Sequence, residues 1–283
     1  MSLDTSSPIS GAQDQRGTFV PRAQGEVDLS MFHRDGATHL SGLRQSGCMK
    51  CILPQVFRPD AEAVLVNTAG GVTGGDAIRV RARVGANSQL SMTTQAAERI
   101  YRTSDGTNGR IDTRIEVEAG ARLNWLPQET ILFDQSRLRR DLQFNLAADA
   151  RLLLCETLVF GRAAMGEDLR QLYLDDRIRV MRDGRPVYLD GIRFEGDIGA
   201  QLARGAITNG AGALATLVFA APDAEALLPH VRALLPDTAG ASLRSPELLV
   251  LRAVAGDSLD LRRYMIPVLE KLSGQSLPAV WRL

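Results

Sequence analysis

Apolar and charged side chains alternate through the middle of the chain. In DAIRVRARV, Ile78, Val80, Ala82 and Val84 fall on one face and Arg79, Arg81 and Arg83 on the other, which is the period of a half-buried strand. IDTRIEVE repeats the pattern, with Ile111, Ile115 and Val117 set against Asp112, Arg114, Glu116 and Glu118. Outward residues of opposite sign on two such strands can pair across a sheet. Both strands run into Gly-Ala, at Gly85 and Gly120, and the 35-residue interval suggests a repeated sheet layer or coil. Asp35-Gly36 predicts a tight hairpin, because both residue types accept positive φ. Further runs at LNWL, LQFNL, RLLLCETLVF, RIRVM, PVYLDGIRF and ALATLVFA, divided by signals such as Asp183-Gly184, predict strands as far as residue 220.

Helical periodicity comes late. Leu227, Leu228, Val231, Leu234 and Leu235 share a face between Pro222 and Pro236, which predicts one short amphipathic helix. A second helix is predicted over Asp257 to Leu272, with Leu261, Met265, Val268 and Leu272 aligned, Gly274 as its stop and Pro267 as a kink. Residues 1–16, rich in Ser, Gln, Gly and Asp, read as a flexible tail. Residues 17–283 read as one mainly β domain with a small C-terminal helical part.

Composition narrows the function. Apolar residues make up 45% of the 283, enough to bury a core. Lys plus Arg and Asp plus Glu number 33 each, so no net field favours nucleic acid or an anionic membrane, and the absence of a Lys/Arg run argues against a local basic patch. A small molecule or a protein is the better partner. No apolar leader opens the chain and no window reaches a membrane span, which places the protein in the cytoplasm. Cys48, Cys51 and Cys155 form no framework and are expected as free thiols.

Candidate chemistry is sparse. GGVTGGD (Gly70 to Asp76) follows the apolar run AVLVN, but a phosphate loop would need Lys where Asp76 stands. Two readings stay open: a glycine-built turn whose Asp76 accepts backbone hydrogen bonds, or a carboxylate that meets a metal or a partner. Cys48 and Cys51 lack companions for a closed zinc site. His33, His39 and His230 show no ligand spacing, although the first two straddle the hairpin. No nucleophile elbow occurs. Glu156 and Glu167 could act as paired acids in a cleft. TTQAAERIYR, with Gln95, Arg99, Tyr101 and Arg102, reads as a loop or an interface, and Trp125 as core.

In order along the chain, VNTAGGVTGGD, LSMTTQAAERIYR, WLPQETILFD, GRAAMGE and the terminal LPAVWRL resemble the signature segments of the urease accessory protein UreD family. The Cys48/Cys51 pair and the TAGG lead into the glycines depart from that pattern. The resemblance implies a helicoidal, β-helix-like stack of strands. It also implies a non-enzymatic role: binding urease apoprotein and, through UreF, recruiting the GTPase UreG so that nickel reaches the urease active site. No cofactor would be held permanently, and nickel would pass transiently. Asp76 and Glu167 match acidic positions of the motifs and are the implied nickel contacts, while Gln95, Arg99, Tyr101 and Arg102 are the expected partner contacts. The rival readings are a carbohydrate-active β-helix enzyme and a passive adaptor that never touches nickel.

Overall fold

A computed structural model describes residues 21–161, 167 and 169–282; the expected tail lies outside them. The chain opens with a hairpin, β1 (Gln24–Arg34) and β2 (Ala37–Gly47), whose two-residue turn places Asp35 at φ 52° and Gly36 at φ 79°, the geometry that matches strand twist. His39 lies opposite Phe32 in the register and His33 opposite Thr38, so the two histidines are not cross-strand partners. The following strands are β3 (Met49–Ile52), β4 (Ala61–Asn67), β5 (Ala77–Val84), β6 (Gln89–Thr94), β7 (Glu98–Ile100), β8 (Gly109–Val117), β9 (Arg122–Trp125), β10 (Thr130–Leu132), β11 (Ser136–Leu146) and β12 (Arg151–Phe160). A second hairpin, β13 (Gln171–Arg182) and β14 (Arg185–Asp197), turns at Asp183-Gly184. The last strands are β15 (Ala213–Ala220), β16 (Ala239–Ser245) and β17 (Leu248–Ala255).

Two sheets result. The first has the order β14-β13-β11-β8-β5-β1-β2, and its five central strands run parallel. The second has the order β16-β17-β15-β12-β9-β6-β4-β3, with β4, β6, β9 and β12 parallel. Between residues 61 and 182 the chain crosses from one sheet to the other and back, so each turn adds a strand to both, as in a β-solenoid. The corners line up through equivalent bonds, Ser88 N–H to Gly85 O, Ala121 N–H to Glu118 O and Ala150 N–H to Ala147 O. Gly85 is therefore equivalent to Glu118 and not to Gly120. The repeat is real, but shorter than the Gly-Ala interval implies.

Alternation places one apolar row after another between the sheets. Leu29, Ala82, Ile115, Phe144 and Val180 stack in register on one side, and Leu90, Leu123 and Leu152 on the other. All are buried, and each large side chain in such a row contributes about 1.5–3 kcal/mol through burial. The outer face of the second sheet carries a separate core, in which Leu153, Cys155, Leu217, Phe219 and Leu251 meet the helices.

The helices α1 (Ile198–Leu202), α2 (Ala224–Arg232) and α3 (Ser258–Ser273) complete the chain. Nothing in the sequence pattern announces α1, which is only one turn long. α2 stops before Leu234 and Leu235, leaving Leu234 exposed. α3 begins with the Asp257 carboxylate accepting from Asp260 N–H at 2.8 Å and ends at Gly274 with φ 64°, an N-cap and a left-handed C-cap. Pro267 sits inside this single helix on its exposed side. Pro267 is exposed, so water can reach the carbonyl it leaves without a donor, and the helix continues through the proline. No helix among the described residues is long and apolar enough to cross a membrane.

Candidate functional site

A third, narrow face joins the two sheets along one corner. Val72 bridges Ile100, Ile100 pairs with Leu132, and Leu132 with Phe160, all in parallel. Four segments far apart in sequence, GGVTGGD, ERIYR, ETILF and LVF, are thus successive rungs of one ladder. Gly71 exists for this contact, because a Cβ there would overlap the Tyr101 ring and the Arg99 carbonyl. Tyr101 donates its hydroxyl to Gly70 O at 3.2 Å and packs edge-on against Phe133, with ring centroids 5.1 Å apart. The spacing of the motifs in sequence does not reveal the ladder; its three-residue strands are too short for a periodicity signal.

Asp76 closes the first corner. One carboxylate oxygen accepts from Ala23 N–H at 2.7 Å and the other from Thr73 N–H at 2.8 Å, and the side chain is buried. Glu167 borders a different place, a surface recess shared with Tyr101, Arg102, Phe133 and Gln135, where it accepts from Asp134 N–H at 3.3 Å. Gln95 and Arg99 line a second recess of about 150 Å³ with Asn67, Thr94 and Glu98. The expected site residues thus form two surface groups, and Asp76 belongs to neither. The rest of GRAAMGE, residues 162–166, lies outside the described residues.

Behind the second recess, inside the stack, is a cavity of about 60 Å³. Recess and cavity share Met49, Leu65, Thr94 and Glu98, so Glu98 stands where surface meets interior. Strand alternation puts it there: on β7, Glu98 and Ile100 point inward and Arg99 outward, and Glu98 is in register with Thr130 of β10. Asn67 Nδ2 donates to the Glu98 carboxylate at 3.0 Å. Burial outweighs that bond and pushes the carboxyl up to about 7.

Arg140 and Glu156 form the inner wall. Arg140 projects inward from β11 and is buried, as are Glu156 of β12 and Asp176 of β13. Its Nε and Nη2 fork onto the two oxygens of Asp176 at 2.9 and 2.6 Å, and its Nη1 reaches Glu156 at 2.6 Å and Thr130 Oγ1 at 3.0 Å. Trp125 Nε1 donates to the other Glu156 oxygen at 2.6 Å. Burial disfavours the charged guanidinium, but Asp176 and Glu156 outweigh it and hold Arg140 firmly protonated. Burial also raises the Glu156 carboxyl, against the pull of Arg140. Of the two carboxyl groups that flank Arg140, Glu156 lines the cavity.

The remaining wall is held from outside. Gln128 lines the cavity, and its Oε1 accepts from Arg262 Nη1 of α3 at 2.7 Å, while its Nε2 is buried without a partner. Arg262 also bonds Glu129 and the Trp281 carbonyl, and stacks on the Trp281 ring at 4.8 Å. Trp281 Nε1 in turn donates to Leu126 O at 3.0 Å. LPAVWR therefore clamps WLPQE, two signature segments that meet only in three dimensions.

Sequence alone gives Glu98 no role, because ERI looks like ordinary strand. Nor does the structure pair Glu156 with Glu167, since one is interior and the other at the surface. The three cysteines are free, and burial raises the Cys51 thiol to about 11 and that of Cys155 to about 12, far from reactive thiolates. Among the described residues, no three His, Cys, Asp or Glu side chains come together as a metal cage.

The parallel strand stack, with its glycine-built corner and carboxylate-necked interior, is that of a β-solenoid-like protein. The chain belongs to the UreD urease accessory protein family, whose model matches residues 23–282. It is similar to the urease accessory protein UreD of Ruegeria sp. (strain TM1040), 50% identical over 272 residues that cover 93% of this chain and 91% of that one. It also resembles those of Ruegeria pomeroyi, 50% identical over 244 residues (86% and 95% covered), and Roseobacter denitrificans, 44% over 263 residues (93% and 96%).

Proposed function

We propose that this chain is the scaffold on which the urease metallocentre is assembled. It binds urease apoprotein in the cytoplasm and, through UreF, brings in the GTPase UreG, so that nickel is delivered as cargo into the urease active site. Nucleotide chemistry belongs to the separate GTPase, in keeping with Asp76 where a phosphate loop would carry Lys. The chain holds no permanent cofactor and performs no catalysis of its own.

The observation that carries the nickel reading is the cavity behind Glu98, with carboxylates at its neck and inner wall. A divalent ion passing through meets oxygen ligands, one or two at a time, which bind more weakly than a His/Cys cage and release onward. In this reading Asp76 shapes the corner, since backbone amides occupy both its oxygens. Glu167, the other implied nickel contact, borders a surface recess beside Tyr101 and Arg102, and Gln95 and Arg99 flank the mouth.

The test is co-expression of this chain with the urease subunits and the other accessory proteins, followed by nickel analysis of the purified urease. Omitting the chain should leave urease nearly free of nickel. The Glu156→Gln variant should form the same complexes yet load less nickel. Full loading by that variant, in complexes of unchanged yield, would favour a passive adaptor over a conduit.

A further inference from the structure

Among the described residues no element covers the outer face of the first sheet between its parallel strands, and its charges do not balance. In one outward row, Asp28, Arg81, Arg114, Gln143 and Arg179 stand side by side on the five parallel strands, three arginines to one carboxylate. A second row sets Arg110 and Arg139 next to one another between Ala77 and Asp175. Neighbouring strands are about 4.8 Å apart, so Arg81 against Arg114 and Arg110 against Arg139 are like-charge pairs of the kind that destabilise a sheet. Arg114 bonds Asp112 at 3.3 Å and Arg139 bonds Asp175 at 3.4 Å. Arg81 and Arg110 are exposed and have no carboxylate within ion-pair distance among the described residues. No Lys/Arg run marks this patch in the sequence, because strand alternation spaces the arginines at every second position.

We propose that this face docks an acidic surface of urease apoprotein, with Arg81 and Arg110 as its unfilled anchors. The proposal rests on the reading above that the chain binds urease apoprotein, and it assigns the surface. Five strands of about eight residues make a flat area of roughly 600 Å², near the share of one partner in an ordinary protein interface. A recess of about 350 Å³ between Arg110, Arg139 and Arg177 gives the face relief. Asp112 and Asp141 lie in the row between the two arginine-rich rows. Paired with Arg114 and Arg179, they divide the arginines into separate strips, a mixed pattern that a protein matches with carboxylates opposite the arginines and donors opposite the aspartates, better than a uniformly charged phosphate surface does.

The test uses tagged full-length chain co-expressed with the urease subunits and the other accessory proteins, and measures the urease subunits retained per tagged chain at low and at high salt. Three double variants are compared with wild type: Arg81→Glu/Arg110→Glu, Arg81→Lys/Arg110→Lys, and Arg244→Glu/Arg263→Glu. The last makes the same charge change on β16 and α3, away from this face. Charge reversal at Arg81 and Arg110 should lower retained urease at least about tenfold at low salt, and the lysine pair should stay within about threefold of wild type. The β16/α3 variant should match wild type, whose retention should fall as salt rises. Equal retention by the reversed and wild-type proteins would overturn the assignment of this face while leaving urease binding intact, and so would an equal loss in the β16/α3 variant. A wild-type chain that retains no urease would overturn the functional reading as well. The thermal transition of the reversed variant separates lost docking from lost folding, and if that variant fails to fold, wild-type retention that does not fall as salt rises still overturns the proposal.

Discussion

Replacing Glu98 by Gln isolates the energetic consequence of a carboxylate at the cavity neck. Gln keeps the shape and an oxygen for Asn67 Nδ2 to bond, but cannot ionise. In the folded protein burial lifts the Glu98 carboxyl from 4.5 to about 7, while the unfolded chain titrates near the ordinary value. The folded state therefore keeps its proton where the unfolded state has lost it, and stability declines as pH rises through that window, then levels off above it. At 1.36 kcal/mol per unit the full shift corresponds to roughly 3 kcal/mol. Glu98 is partly exposed, and solvent screening reduces the expectation to about 2 kcal/mol. Urea unfolding of the wild-type and Glu98→Gln proteins between about pH 5 and 8 should give curves that differ by that amount at the alkaline end and converge at the acid end. Parallel pH dependences would refute the reasoning, because they would mean that Glu98 ionises freely in the folded protein.

Three further outcomes are expected. Arg140→Met strands Glu156 and Asp176 in the interior and should destabilise the protein by about 3–5 kcal/mol in thermal or urea unfolding, with Arg140→Lys intermediate because it cannot fork onto Asp176. Asp76→Ala removes the acceptor from two backbone amides and should cost about 1–3 kcal/mol for each left unpaired, with urease activation lost in proportion to protein abundance; a full loss of activation at unchanged abundance would return Asp76 to the nickel path. Cys48→Ser/Cys51→Ala should keep most urease activation in co-expression, since neither thiol has partners for a metal site.

The sheets were legible from alternation alone, because a strand buried on one face writes its period into the sequence, as Ile78 to Val84 do. The corner ladder was not legible. Val72, Glu98 to Ile100 and Thr130 to Leu132 belong to segments too short to show a period, and only their parallel stacking makes them a surface. The site residues divide along the same line. Tyr101, Arg102, Gln95 and Arg99 were picked out as polar residues in an irregular stretch, and they do line recesses. Glu98 lies in that same stretch but counts as one more surface acid until β7 is known to turn it inward. Arg140 has the same difficulty, since LRRDLQ offers two adjacent arginines and only the register shows that Arg139 faces solvent and Arg140 the core.

The interior polar groups also bear on why a stack this apolar keeps charges that weaken it. Replacing Arg140, Glu156 and Asp176 together by apolar side chains of similar volume would be expected to leave the fold intact or more stable, because desolvation offsets most of what a buried ion cluster contributes. Their presence is therefore not accounted for by stability. The cluster lines the cavity through Arg140 and Glu156, with Trp125 and Thr130 fixing its orientation. Carboxylates that are held in place and not gathered into a cage suit an ion that must move on, which is the property the proposed conduit requires. A triple apolar variant that folds and still binds urease, but loads it with less nickel, would separate this role from structure. The same variant loading nickel fully would leave the cluster without a part in delivery.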